Sequence, residues 1–245
     1  MPLADQIRDL ADRAQLGLSR GQAYYDHTLI AWRVFRERVE EGRMIHQVND
    51  HTGQAIDGPA LVVASQGYVT GYLTESVFLD AVAIFEDYVI GLIGAWLMAH
   101  PRGIIGLDDE EGDDRLKRTD KTIPLAIVTD NPDRESILRV IVDRELDRLK
   151  YRRLAGWFEY LEKRAGLGVP GRDEIEGLAE IKAARDIIAH NRGSVNATYL
   201  AKSGPRARHA EGDRLEITEP YLKGAWTLIA RVVDDTSAAA IAKAG

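Results

Sequence analysis

Apolar residues recur at intervals of three and four along nearly the whole chain. That spacing lines one side of an amphipathic helix, so the pattern predicts an all-α fold of six or more helices with at most one or two short strands. Leu3, Ile7, Leu10 and Ala14 mark a short first helix, and Tyr25, Leu29, Trp32 and Val39 mark a second that ends near Gly42. Between Met44 and Gly71 the rhythm breaks: Asn49, Asp50, Gly53, Gly58-Pro59 and Gly67 are turn-formers, and Leu61-Val62-Val63 is compatible with a short extended piece. Thr74 is a suitable cap for a long helix carrying the stripe Phe78, Ala81, Phe85, Tyr88, Leu92 and Trp96, which Pro101 and Gly103 stop.

In the second half Asp130-Asn131-Pro132 reads as a turn, after which Ile137, Leu138, Ile141, Val142 and Leu149 set out another helix. Leu154, Trp157, Phe158 and Leu161 belong to the next, closed by Gly166-Leu167-Gly168-Val169-Pro170. A helix beginning near Arg172 carries Ile175, Leu178, Ile181 and Ile188, and Asn191 with Gly193 supplies residues that tolerate a left-handed end. A long polar stretch follows, with Leu215 and Ile217 alternating like a short strand. Thr218 and Pro220 then start a final helix with Leu222, Trp226, Ile229 and Val233 facing inward. There is no internal repeat.

Composition narrows the function classes. The 245 residues, 45% of them hydrophobic, suffice for one large domain or two small ones, and the absence of cysteine excludes disulfides, thiolate metal sites and cysteine nucleophiles. No basic, apolar leader opens the sequence, so a cytoplasmic protein is expected. Its most apolar stretch, Ala81 to Ala99, is interrupted by Glu86 and Asp87 and is too short and too charged for a bilayer, so no membrane partner is expected. A net charge of −7 argues against coating nucleic acid through bulk electrostatics, which leaves only local contacts. The acidic run Asp108-Asp109-Glu110-Glu111-Gly112-Asp113-Asp114 lacks a calcium-loop pattern and reads as a solvated loop. His27, His46, His51 and His100 are scattered without ligand spacing, so neither a metal nor a cofactor is expected.

Candidate chemistry sits at the end of the helix that begins near Arg172, in Arg185-Asp186-Ile187-Ile188-Ala189-His190-Asn191. Arginine is a permanent planar cation that grips phosphate, and histidine exchanges a proton near neutral pH. With 24 arginines and 6 histidines, chance supplies roughly one or two pairs at such spacing, and Arg20 with His27 is a second match. That pair has Gly21 after the arginine and reads as coincidence, whereas Arg185 and His190 lie in an amphipathic helix with Asp186 in the polar slot.

This segment resembles the Arg-x4-6-His motif of the HEPN superfamily, all-α domains that commonly dimerise and in many branches cleave RNA. The resemblance spans mainly residues 74 to 240, dividing the chain into an N-terminal helical extension, 1–73, and a HEPN-like domain, 74–245. It implies a metal-independent endoribonuclease in which a ribose 2′-hydroxyl attacks the adjacent phosphate, His190 transfers the proton, Arg185 holds the phosphate, and Asp186 or Asn191 positions His190 or the RNA. Asn191, Arg192, Lys202 and Arg206 are the candidate nucleic-acid contacts, the last two in the basic segment Lys202 to His209, which reads first as an ordinary solvated loop. Some HEPN proteins carry an acid on the helix beside the motif, a position Glu86 would fill here, although it also reads as a plain solvated carboxylate.

Helix geometry adds a constraint. At about 100° per residue Arg185 lies near the apolar stripe of Leu178, Ile181 and Ile188, and His190 lies about 140° away from it, whereas Asp186 faces the same way as His190. One regular helix therefore cannot aim Arg185 and His190 at one phosphate: either the last turn unwinds at Asn191 or a second copy completes the site. The face through Ala179, Ala183, Asp186 and His190 is small enough for close approach of another helix, which favours a symmetric homodimer. Two other readings stay open. One is a non-catalytic HEPN dimer that binds RNA, nucleotide or a protein; the other is a structural pair, with Arg185 on a buried acid and His190 at the helix C-terminus. A toxin or defence setting with an inhibitory protein partner would suit the nuclease.

Overall fold

The computed structural model describes residues 1–43, 46–48, 51–104, 125–131 and 133–244, and the acidic run Asp108 to Asp114 and Pro132 lie outside them. Within the described residues the architecture is all-α: α1 (Leu3–Glu40), α2 (Gly58–Gly67), α3 (Thr74–Ala99), α4 (Leu125–Asp130), α5 (Arg134–Lys150), α6 (Leu154–Ala165), α7 (Arg172–Asn191), α8 (Ala197–Ser203) and α9 (Glu219–Ala244). The two strands are three residues each, β1 (His46–Val48) and β2 (Ala55–Asp57), paired antiparallel with Gln47 opposite Ile56. No helix among the described residues is long and apolar enough to cross a membrane.

Several local expectations are corrected. The two N-terminal helices are one 38-residue helix, because Gly17 and Gly21 sit inside α1 instead of ending it. At Gly17 a Cβ would come within 2.9 Å of Ile84 Cδ1, so the end of that side chain would have to shift. Leu61-Val62-Val63 is helical rather than extended, since Asp57 accepts a hydrogen bond from the Ala60 amide at 2.8 Å and Pro59 occupies the first turn, a complete start signal for α2. Thr74 does not cap α3. The chain passes from α2 through a π-helical turn, Tyr68–Leu73, directly into α3, and the Thr74 hydroxyl donates to the Val69 carbonyl at 2.7 Å. Leu215 and Ile217 are buried but form no strand; Ser194 and Arg214 make an isolated bridge, beside which the Leu215 amide donates to the Gly193 carbonyl at 2.8 Å and the Val195 amide to the Asp213 carbonyl at 2.9 Å.

The chain forms two compact units, one of residues 1–12, 86–175 and 232–245 and the other of residues 13–85 and 176–231. Both draw on α1, α3, α7 and α9, whose lengths run from one unit into the other. In the first, the buried Tyr88 phenol meets the Val233 carbonyl at 3.1 Å and the Thr236 hydroxyl at 2.8 Å, and burial pushes its pKa up to about 12. Trp157 Nε1 donates to the Leu149 carbonyl at 2.7 Å, satisfying one of the last carbonyls of α5. In the second unit Tyr25 of α1 packs edge-on against Trp226 of α9 with ring centroids 5.8 Å apart. This second unit carries the motif residues.

Candidate functional site

Helix α7 opens with Asp173 and Glu174 in its first turn, and Glu174 accepts a hydrogen bond from the Gly171 amide at 3.0 Å. It stays helical through Asn191, so the last turn does not unwind before the histidine. The left-handed residues are Arg192 (φ 53°) and Gly193 (φ 78°), one position later than Asn191. The Gly193 amide reaches back to the Ile187 carbonyl at 3.1 Å, a Schellman-type closure, and the Asn191 side-chain amide donates to the Ser194 carbonyl.

The stretch after α7 is not merely polar. Asn196 accepts from the Tyr199 amide at 3.0 Å and so starts α8. This short helix lies against α7 and closes a cleft of about 430 Å³ lined by Ala183, Asp186, Ile187, His190, Asn191, Asn196, Thr198, Tyr199 and Lys202. Of the predicted site residues, Asp186, His190, Asn191 and Lys202 meet there. Arg185, Arg192 and Arg206 are not among its lining residues.

Asp186 is the electrostatic centre. Its Oδ2 accepts from Lys202 Nζ at 2.8 Å and its Oδ1 from Arg185 at 3.2 Å. Burial works to raise its pKa, but the Lys202 hydrogen bond, the charges of Lys182 and Lys202 and the Arg185 hydrogen bond outweigh it, and the carboxyl is held below its ordinary value. The carboxylate is therefore committed to cations. His190 is exposed, and among the described residues its ring has no hydrogen-bond partner. The homodimer face is also narrower than expected, since Ala183 is only 1% exposed in the single chain. Glu86 is half-buried on α3 and belongs to the other compact unit.

A second polar cluster was not foreseen. Glu180, buried on α7, accepts from Tyr199 Oη at 2.8 Å and Arg208 Nε at 2.9 Å through Oε1, and from Tyr221 Oη at 2.7 Å through Oε2. The Arg208 guanidinium stacks 3.4 Å over the Tyr221 ring. Burial first, then the Glu180 charge, pushes the Tyr221 phenol up. Arg208, taken from sequence as part of an RNA-binding or solvated segment, is thus a structural cation. The available signal was Glu180 itself: with Ala184 and Ile187, four and seven residues on, it occupies a face that is otherwise buried and apolar.

No protein-family model, curated protein or solved structure matches this chain.

Proposed function

We propose that the protein is a cytoplasmic, metal-independent endoribonuclease of the HEPN type, acting as a homodimer. The observation that carries this reading is the exposed His190 at the end of α7, on the rim of a cleft whose other polar groups are Asp186, Asn191 and Lys202. Arg185 stands beside it with its side chain 27% exposed and tied to Asp186. Because α7 is regular to Asn191, Arg185 and His190 of one chain diverge, and the second copy supplies the complementary group.

In the proposed reaction the 2′-oxygen forms a bond to phosphorus as the bond to the 5′-oxygen breaks. His190 removes the hydroxyl proton, and the departing 5′-oxygen takes up a proton. Arg185 stabilises the negative charge that accumulates on the phosphate. Lys202 and Asn191 hold the RNA backbone at the cleft, with Arg192 and Arg206 farther along it. A toxin or defence role, restrained by a protein partner, fits an enzyme whose product is cut RNA.

The test is incubation of purified protein with mixed RNA in chelator, beside His190→Ala. Cleavage by the wild type alone is expected; equal cleavage, or none by either across a broad RNA set, sinks the proposal. One observation favours a second reading. Asp186 is committed to Arg185 and Lys202, and no hydrogen bond among the described residues fixes the His190 ring, as would suit a HEPN dimer that binds RNA without cutting it. Tight RNA binding with no cleavage would select that alternative.

A further inference from the structure

The C-terminal half of α1 carries a face that the proposed chemistry does not use. Arg20, Tyr24, His27, Ala31 and Arg38 are spaced by three, four and seven residues, which at about 100° per residue places them along one side of the helix. Every acid on α1 between Asp9 and Glu41, namely Asp12, Asp26, Glu37 and Glu40, lies about 80° or more away around the helix from Arg20. Arg20, His27 and Arg38 are exposed, and Arg20 and Arg38 have no ion-pair partner among the described residues. The face is basic in a chain that is acidic overall.

Exposed aromatic rings lie on α1 and on the helical run that touches it at Trp32. Tyr24 is 56% exposed and Tyr72 is 67% exposed, unusual for rings that have a helical core at hand. Tyr72 stacks on Tyr68 with centroids 5.7 Å apart, and Tyr68 in turn lies 6.0 Å from Trp32 of α1. The π-helical turn carries this pair: Tyr68 and Tyr72 both fall within it. From Gly58 to Leu73 the neighbouring helical run contains no charged residue, so it adds no carboxylate to repel an anion. On α3, Asp80 lies beside Gly21, about 100° round α1 from Arg20.

We infer that this face of α1, with Tyr24 and Tyr72 as stacking platforms and Arg20, His27 and Arg38 as backbone contacts, holds single-stranded RNA. The inference rests on RNA being the protein's substrate. Alternation of exposed rings and unpaired cations is what an unpaired strand requires, since each base has a face to stack and each phosphate a charge to neutralise. From Arg20 to Arg38 the helix extends about 27 Å, enough for several nucleotides. An aliphatic protein groove would leave Arg20 and Arg38 without partners. The Arg20 and His27 pair, a chance match to the nuclease motif, gains a different use: both side chains point along one exposed strip.

The experiment measures binding of a fluorescent, mixed-sequence single-stranded RNA to the full chain carrying His190→Ala, so that no cutting disturbs the reading. Tyr24→Ala with Tyr72→Ala is expected to weaken binding about 10- to 100-fold, while Tyr24→Phe with Tyr72→Phe keeps it. Arg20→Gln with Arg38→Gln should lower the salt dependence of log K by about 1 to 2. Unchanged affinity in the alanine pair overturns the inference. Unchanged affinity with loss of dimer on sedimentation would instead make this face an interface between copies. If wild type cuts no RNA yet tyrosine-dependent binding persists, the nuclease reading fails and the strip stands; if the chain binds no RNA, both fall.

Discussion

Two carboxylates on one helix have opposite fates. Glu180 is 5% exposed and all its bonds go to side chains that follow it in the chain, Tyr199, Arg208 and Tyr221. Asp186, six residues on, is 22% exposed, faces an open cleft and is held by two flexible cations. A buried charge survives only when every lone pair is occupied, which makes the Glu180 cluster a structural lock. A charge at a solvent-accessible edge can exchange one cation for another ligand. The difference separates the part of α7 that is locked into the core from the part that faces an open cleft.

That division can be broken most forcefully at Glu180. Glu180→Ala leaves Arg208 and two phenols without their acceptor and should cost about 3 kcal/mol of stability. In a thermal melt this reads as a loss of roughly 6–12 °C. An unchanged melt accompanied by lost RNA cleavage would reverse the roles assigned to the two carboxylates. Next in size is His190→Ala: cleavage should fall about a hundredfold or more, with the melting temperature and RNA affinity nearly unchanged. A stability loss equal to that of Glu180→Ala would make the histidine structural.

Arg185→Lys sharpens the comparison at smaller scale. Lysine keeps the charge opposite Asp186 but loses the planar fork, so a drop of about tenfold in cleavage is expected without loss of folding. A fully active lysine variant would mean that Arg185 serves only as a counter-ion. The smallest effect is pH-dependent. The folded-state pKa of Asp186 is below its ordinary 3.8, so its contribution is complete above that value and disappears as pH falls through the folded pKa. Between pH 5 and the acid limit, urea midpoints of wild type should therefore decline more than those of Asp186→Asn. Parallel declines would remove Asp186 as an acid-sensitive support.

Much of the helical framework was legible because long amphipathic periods and strong terminators coincide. The stripe of α3 and the Gly166 stop of α6 are of this kind: Gly166 adopts φ 59° where a left-handed residue ends the helix. What misled was local punctuation overruled by tertiary contacts. The stretch between Ala14 and Tyr25 read as a gap between two helices but is helical, with Gly17 allowing Ile84 to approach closely, and Gly67 and Gly71 sit within continuous helix. At the site, the segment with Asp186, His190 and Asn191 was visible from residue type and spacing. Lys202's ion pair with Asp186 and the partners of Glu180 were not, because each depends on how residues 16 to 41 positions apart fold back onto α7.

The bonds of Glu180 also set an order of events during synthesis. Its partners emerge 19, 28 and 41 residues later, with Tyr221 the last. Until then a desolvated carboxylate would lack acceptable neighbours, so α7 must keep that face in water even after its own backbone has coiled. A growing chain that already contains Arg185 and His190 thus lacks the groups needed to seat their helix. The Glu180 cluster is complete only when the start of α9 has left the ribosome, after most of the sequence has been made.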